Sequence, residues 1–219
     1  MKDLLKSYGV VSEGHFKLTS GRHSALYIFK DRIYCIPNLF KVICVRMEIP
    51  IREHLHEVNV ITGPAVAGAI LAGAIADHYG KVFVYPEKTI EIDDVPYMCH
   101  DELHHSSKLV VGRKMEFRRG YDEVIKGKRV WITGDVITTG GSIEKTIRAI
   151  YDCGGSVMGV SAIWNRGSYK PSRGGFFPLI TEAVTSYLEE DCPQCEKNIP
   201  LQDPKPMKII EGGYEHGAV

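Results

Sequence analysis

The sequence lacks any stretch that could cross a bilayer as a helix. None of its apolar runs approaches the roughly 20 residues such a helix needs, within a chain of 219 residues. It also lacks net charge. Lys plus Arg and Asp plus Glu number 27 each, so no overall field steers the protein toward nucleic acid or an anionic membrane, and any anion site must be local. The first residues, MKDLLKSYGVVSEGHF, hold neither a secretory apolar region nor a small-residue cleavage site, so a cytoplasmic location is the expectation. Cysteine is sparse and scattered: Cys35, Cys44, Cys99, Cys153, Cys192 and Cys195 contain a single C-x-x-C. That spacing excludes a disulfide framework and suits reduced thiols. No internal repeat is present.

What is there is the balance of an ordinary globular protein. Hydrophobic residues make up 44% and charged residues 25%, enough to bury a core that needs no staples. Short Val/Ile-rich runs alternate with helical patterns. VNVIT, KVFVYPE, KLVVGRK, RVWITGD, SVMGVSAIWN and PLITEAV read as strands. AVAGAILAGAIADHYG, ending at Gly80, and residues 142–153 read as helices. Asn38 is placed to cap a helix that Pro50 would interrupt. Residues 89–107 are His-rich and read as an irregular surface excursion. Near-continuous apolar strands between helices predict a Rossmann-like α/β fold with a parallel sheet covered on both faces. In such sheets ligands bind beyond the carboxyl ends of the strands.

One such end carries the clearest chemistry. In Val130–Ser142, VWITGDVITTGGS, an apolar strand ends at Asp135. The loop Val136-Ile137-Thr138-Thr139-Gly140-Gly141-Ser142 then runs straight into a helix. The glycines permit a tight turn, and the helix-start N–H groups with the Thr and Ser hydroxyls form a phosphate cradle. A carboxylate beside that cradle suits ribose hydroxyls or Mg²⁺ rather than phosphate. The string is neither a P-loop nor a dinucleotide fingerprint.

The string resembles the PRPP-binding motif of the type I phosphoribosyltransferases, closest to the orotate branch. Further segments carry the same resemblance. Phe16-Lys17-Leu18-Thr19-Ser20-Gly21-Arg22-His23-Ser24 is similar to the family's hood segment over the base. Gly63-Pro64-Ala65-Val66-Ala67-Gly68 is similar to its pyrophosphate loop. Arg113-Lys114 with Gly120 resembles its mobile basic loop, and Trp164-Asn165-Arg166-Gly167 its base-contacting segment. The family pattern has acid, Lys and His where this chain has Gly134, Phe117 and Arg119. Some members carry Lys at the place of Thr19.

The resemblance implies transfer of phosphoribose from PRPP to orotate, giving orotidine 5′-monophosphate and pyrophosphate, with Mg²⁺ as cofactor. It implies Asp135 and Lys114 as catalytic groups. PRPP would be held by Asp135–Ser142, Arg113, Lys114, Pro64 and Ala65, and the base by Thr138, Arg166 and Thr19. A homodimer follows, since the family's basic loop acts across subunits; neither nucleic acid nor membrane is implied. The expected layout is a hood at 1–45, an α/β core at 46–190 and a Cys-containing Pro-rich tail at 191–219. The departures leave open a transferase for another base, purine or uracil, or a PRPP-binding regulator without turnover. Cys192 and Cys195 form half of a candidate zinc site, with Cys99, His100, His104 and His105 as candidates for the other half.

Overall fold

The computed structural model describes residues 1–18, 20–97, 106–203, 209–210 and 213–214. Thr19 and the candidates Cys99, His100, His104 and His105 lie outside them. The chain opens with α1 (Lys2–Ser7) and a hairpin of β1 (Val11–Lys17) and β2 (His23–Ile28). Then come α2 (Arg32–Cys35), α3 (Pro37–Met47), α4 (Ile49–Glu53), β3 (Val60–Thr62), α5 (Ala67–His78) and β4 (Val82–Phe83). A long antiparallel pair follows, β5 (Glu87–Tyr97) with β6 (Ser106–Glu116). The remainder is α6 (Tyr121–Ile125), β7 (Arg129–Ile137), α7 (Gly141–Asp152), β8 (Ser156–Asn165), β9 (Gly175–Thr181), α8 (Pro193–Glu196) and the small pair β10 (Ile209–Ile210) and β11 (Gly213–Tyr214). No helix among the described residues is long and apolar enough to cross a membrane.

The central sheet runs β4-β3-β7-β8-β9, and every neighbouring pair in it is parallel. This is the expected Rossmann-like sheet. Period-two alternation sends successive residues to opposite faces. Ile61, Trp131 and Ile163 pack with Leu39, Ile43 and Met47 of α3, Leu71 and Ile75 of α5, and Leu5 and Val11 of the N-terminal region. Val60, Val130, Ile132, Val160 and Ala162 point the other way, onto Ile143, Ile147 and Ile150 of α7. That 143-147-150 spacing is one helix face.

Two local expectations are corrected. Asn38 is not the cap of α3: Pro37 occupies its first turn, where a missing N–H costs nothing, and Ile36 stands at the cap. Pro50 does interrupt the helix, opening α4 after the break. Within 89–107 the described residues are paired strand, from Glu87↔Glu116 to Tyr97↔Ser106, rather than irregular.

Trp131 fixes the sheet's middle. Its indole N–H donates to Ser161 Oγ at 2.9 Å, and its ring stacks on Phe177 with centroids 5.4 Å apart. Gly159 lies against the same ring, where an added Cβ would come within 2.6 Å of it. Gly159→Ala is therefore expected to destabilise the protein by about 1–3 kcal/mol, read as a lower urea midpoint with an unchanged slope.

Candidate active site

The sheet order contains a switch point. From β3 the chain goes outward to β4, and later returns on the other side of β3 as β7. Beyond the carboxyl ends of β3 and β7 lies a cavity of about 500 Å³, within the range of small-ligand sites. Its walls are Pro64–Gly68 from one strand end and Gly134–Ile143 from the other, with Lys30, Asp31 and Lys88.

The local sequence dictates this geometry. A Cβ on Gly63 would lie 2.3 Å from the Gly68 carbonyl oxygen and 2.6 Å from that of Thr133. One on Gly68 would lie 2.7 Å from the latter. Only glycine permits backbones this close. The Thr133 hydroxyl donates to the Gly68 carbonyl at 2.9 Å and ties the two walls together. The Ala65–Val66 peptide between them is cis. On the second wall Gly140 has φ +78°, and a Cβ there would enter the Tyr169 ring at 2.1 Å. Helix α7 begins at the next residue and has no side-chain cap, so its first-turn N–H groups are offered at the cavity wall.

Strand β7 runs past the expected end at Asp135 to Ile137, both of its last two residues pairing with β8. Asp135 is largely buried near that end, and the Lys30 ammonium donates to its Oδ2 at 2.9 Å. Burial pulls the Lys30 pKa down, but the hydrogen bond and charge of Asp135 outweigh it and leave it raised. Lys30, Asp31 and Lys88 carried no signal in the sequence. They sit outside any motif and reach the cavity because the hairpin and β5 begin or end beside it.

Of the residues picked from sequence, Pro64, Ala65 and all of Asp135 through Ser142 share the one cavity. Arg166 is not among the residues that line it. Its backbone N–H donates to the Ile137 carbonyl at 2.8 Å, and a Cβ on Gly167 would lie 3.2 Å from the Thr138 carbonyl oxygen. The half-buried guanidinium keeps a buried Nε with no hydrogen-bond partner among the described residues, and burial lowers its pKa. Lys114 is not on the wall; its ammonium lies 3.2 Å from the Glu116 carboxylate. Its strand neighbour Met115 pairs with Lys88, which does line the cavity. The side chain of Arg113 is outside the described part. Phe117 is not part of a basic loop: it is buried with Met115 in the core under α7. Arg119 instead pairs with Glu87 at 3.0 Å. The Cys192–Cys195 pair stands beside His15 and His23.

A model of the phosphoribosyl transferase domain matches residues 31–177. The chain belongs to the phosphoribosyl transferase family. It is a pentosyltransferase with the type I fold, as the motifs led us to expect. The orotate phosphoribosyltransferase of Thermoanaerobacter sp. (strain X514) is 30% identical over 208 residues, 94% of this chain and 96% of that protein. That of Caldanaerobacter subterraneus subsp. tengcongensis is 31% identical with the same coverage. In structure the chain is similar to orotate phosphoribosyltransferase from Aeropyrum pernix, with a TM-score of 0.58 and 22% identity over 82% of this chain and 92% of that one. Adenine phosphoribosyltransferase from Rhodothermus marinus gives 0.56 and 20% over 83% and 99%.

Behind the cradle, Glu144 accepts hydrogen bonds from the Tyr169 hydroxyl (2.7 Å) and the Ser172 N–H (3.0 Å). Burial pushes its carboxyl up, but those bonds prevail and hold it below the usual range. A depressed carboxylate stabilises the fold above its unfolded pKa, near 4.3, and loses that contribution as pH falls through the folded value. Glu144→Gln should cost about 1–2 kcal/mol at neutral pH. Stability curves of wild type and variant should converge as pH falls from the unfolded value, near 4.3, through the lower folded one.

Proposed function

We propose that the protein transfers the 5-phosphoribosyl group of PRPP to orotate, releasing pyrophosphate and forming orotidine 5′-monophosphate. The observation that carries this reading is the single crevice with two loops on its walls. One wall offers an uncapped helix start beside a carboxylate; the other offers a glycine-bounded loop. A sugar with a phosphate at each end matches that pattern. Similarity to orotate enzymes along 94% of the chain supports orotate as the base.

In this reading Thr138–Ser142 hold the 5-phosphate through backbone N–H and hydroxyl groups, and Pro64–Gly68 receive the pyrophosphate. Asp135 accepts hydrogen bonds from the ribose hydroxyls, exchanging its Lys30 partner for them. Lys30 and Lys88 then face the departing pyrophosphate charge, with Arg113 and Lys114 following on strand β6, whose Met115 pairs with Lys88. Positive charge develops on the ribose as the anomeric bond loosens, and Asp135 is the carboxylate nearest to stabilise it. Holding both reactants in line supplies the remaining advantage. The donor set fits Mg²⁺: Asp135 and Asp31 are hard oxygen donors on one cavity, and Mg²⁺ is commonly held by one or two carboxylates plus substrate phosphates. When bound, the ion would neutralise pyrophosphate charge.

Arg166 is the group for the base. A guanidinium with an unpaired buried Nε suits bidentate pairing with a carboxylate, which orotate has and purines lack. Thr138 and Thr19 would complete the base contacts. A homodimer is part of the proposal. Ile70 of α5 and Phe83 of β4 are exposed apolar residues, and a Cβ on Gly73, one turn from Ile70, would touch the Phe83 ring at 3.5 Å. The two side chains therefore belong to one neighbourhood.

Turnover should be measured with PRPP, Mg²⁺ and orotate, uracil or adenine. Orotate should be consumed with release of pyrophosphate; consumption of PRPP with adenine alone, or with none, would sink the assignment. Asp135→Asn should lower kcat on the order of 100-fold or more while circular dichroism stays native. Arg166→Lys should raise the orotate KM about tenfold or more and leave the KM for PRPP nearly unchanged. Sedimentation should give a dimer that Ile70→Asp dissociates.

A further inference from the structure

We propose that His15, His23, Cys192 and Cys195 bind one structural Zn²⁺ that clamps the tail onto the N-terminal hairpin. The ligand atoms all lie within 4.8 Å of one another, and three of the four residues are buried. With zinc–nitrogen and zinc–sulfur bonds of about 2.0 and 2.3 Å, a tetrahedral site has edges of about 3.3 Å between nitrogens and about 3.5 Å between nitrogen and sulfur. His15 Nε2 is 3.1 Å from His23 Nδ1, 3.4 Å from Cys192 Sγ and 3.7 Å from Cys195 Sγ. His23 Nδ1 is 3.2 Å from Cys195 Sγ. Four of the six edges thus lie within a few tenths of an ångström of such a site, and the other two are no longer than 4.8 Å.

Proton placement points the same way. His15 Nδ1 lies 2.7 Å from the Ile199 carbonyl oxygen; it must carry the proton, which leaves a lone pair on Nε2 facing the cluster. Without a metal, that lone pair takes a proton from a thiol, Cys192 Sγ being the nearer at 3.4 Å, or from His23 Nδ1. In either case the buried His23 Nε2 has no hydrogen-bond partner among the described residues. A metal suits both rings. It takes both lone pairs and moves the His23 proton to Nε2, on the side of the Glu189 carboxylate 4.0 Å away. A ring N–H turned to a carbonyl or a carboxylate is the usual outer support of zinc-bound histidine.

Four protein ligands leave no open position, so the site is structural. It joins strand β1 through His15 and strand β2 through His23 to Cys192 at the N-cap of α8 and Cys195 in its single turn. The tail already leans there: Gln202 N–H donates to the His15 carbonyl at 2.7 Å, and the backbones of His23 and Tyr187 pair.

The test is metal content of untagged protein purified without chelator. About one zinc per chain is expected, and well under a tenth of that in Cys192→Ser/Cys195→Ser. Cobalt-loaded wild type should show the visible bands of a tetrahedral dithiolate site, absent from the variant. Stripping the metal should lower Tm by about 5 °C or more. Wild type that holds no zinc and takes up neither zinc nor cobalt would overturn the proposal, as would a Cys192–Cys195 disulfide in the purified protein or full zinc retention by the double variant. The wild-type measurements decide the matter even where the variant fails to fold. None of them depends on orotate turnover.

Discussion

Between β3 and β7 the two backbones come too close for any side chain on Gly63 or Gly68. The Thr133 hydroxyl holds them there by bonding the Gly68 carbonyl. Everything at the candidate active site follows from that contact. It brings the loop after β3 to the loop after β7, so that two short segments 70 residues apart in sequence face one crevice. Had either glycine been alanine, the strand ends would have to separate by more than a side-chain rearrangement could absorb. The obstacle in each case is a backbone oxygen, which cannot rotate away.

The N-terminal region is bound to this arrangement by more than connectivity. Leu5, Val10, Val11 and Ile33 share one buried cluster with Ile61, Trp131 and Ile163 of the sheet. The hairpin's position is thereby set by sheet packing, and Lys30 arrives 2.9 Å from an acid 105 residues further along. That pairing gives Asp135 a partner before any ligand binds. A ligand that takes Asp135 Oδ2 would displace an ammonium that itself lines the cavity, while Oδ1 stays open to a further donor.

Much of this was legible in the sequence, because strand tips in a parallel sheet announce themselves. VWITGDVITTGGS shows an apolar run, an acid, paired glycines and a helix start in order, and each feature has a local physical cause. Gly63-Pro64 reads the same way. What escaped reading has no local cause. Lys30, Asp31 and Lys88 reach the cavity only through long-range packing. Phe117 looked like a member of a basic stretch, since its neighbours Arg118 and Arg119 are charged. It directly follows the end of β6 and is buried with Met115 instead. Cys192-x-x-Cys195 gave half of a cluster, but His15 and His23 are separated from it by more than 165 residues of chain. Nothing in their spacing ties them to the cysteines; an antiparallel pairing of β1 with β2 puts the two imidazoles side by side.

A neutral protein that handles a polyphosphate faces an electrostatic problem. With 27 acidic and 27 basic residues it offers no long-range attraction, and the cavity does not offer one either. Its charged lining is Lys30 and Lys88 against Asp31 and Asp135, which sums to zero. Affinity for an anion must then come from groups that cost nothing to orient. Those are the N–H groups at the start of α7 and the turn around Gly63–Gly68, fixed by glycine geometry before the ligand arrives. Gly134 fits this logic. A second strand-tip acid there would tip the lining to a net negative charge. A side chain at that position would also press on Ile143, whose Cδ1 lies 3.2 Å from where a Cβ would be. With glycine, the carboxylates of the lining stay at two, Asp31 and Asp135, matched by Lys30 and Lys88.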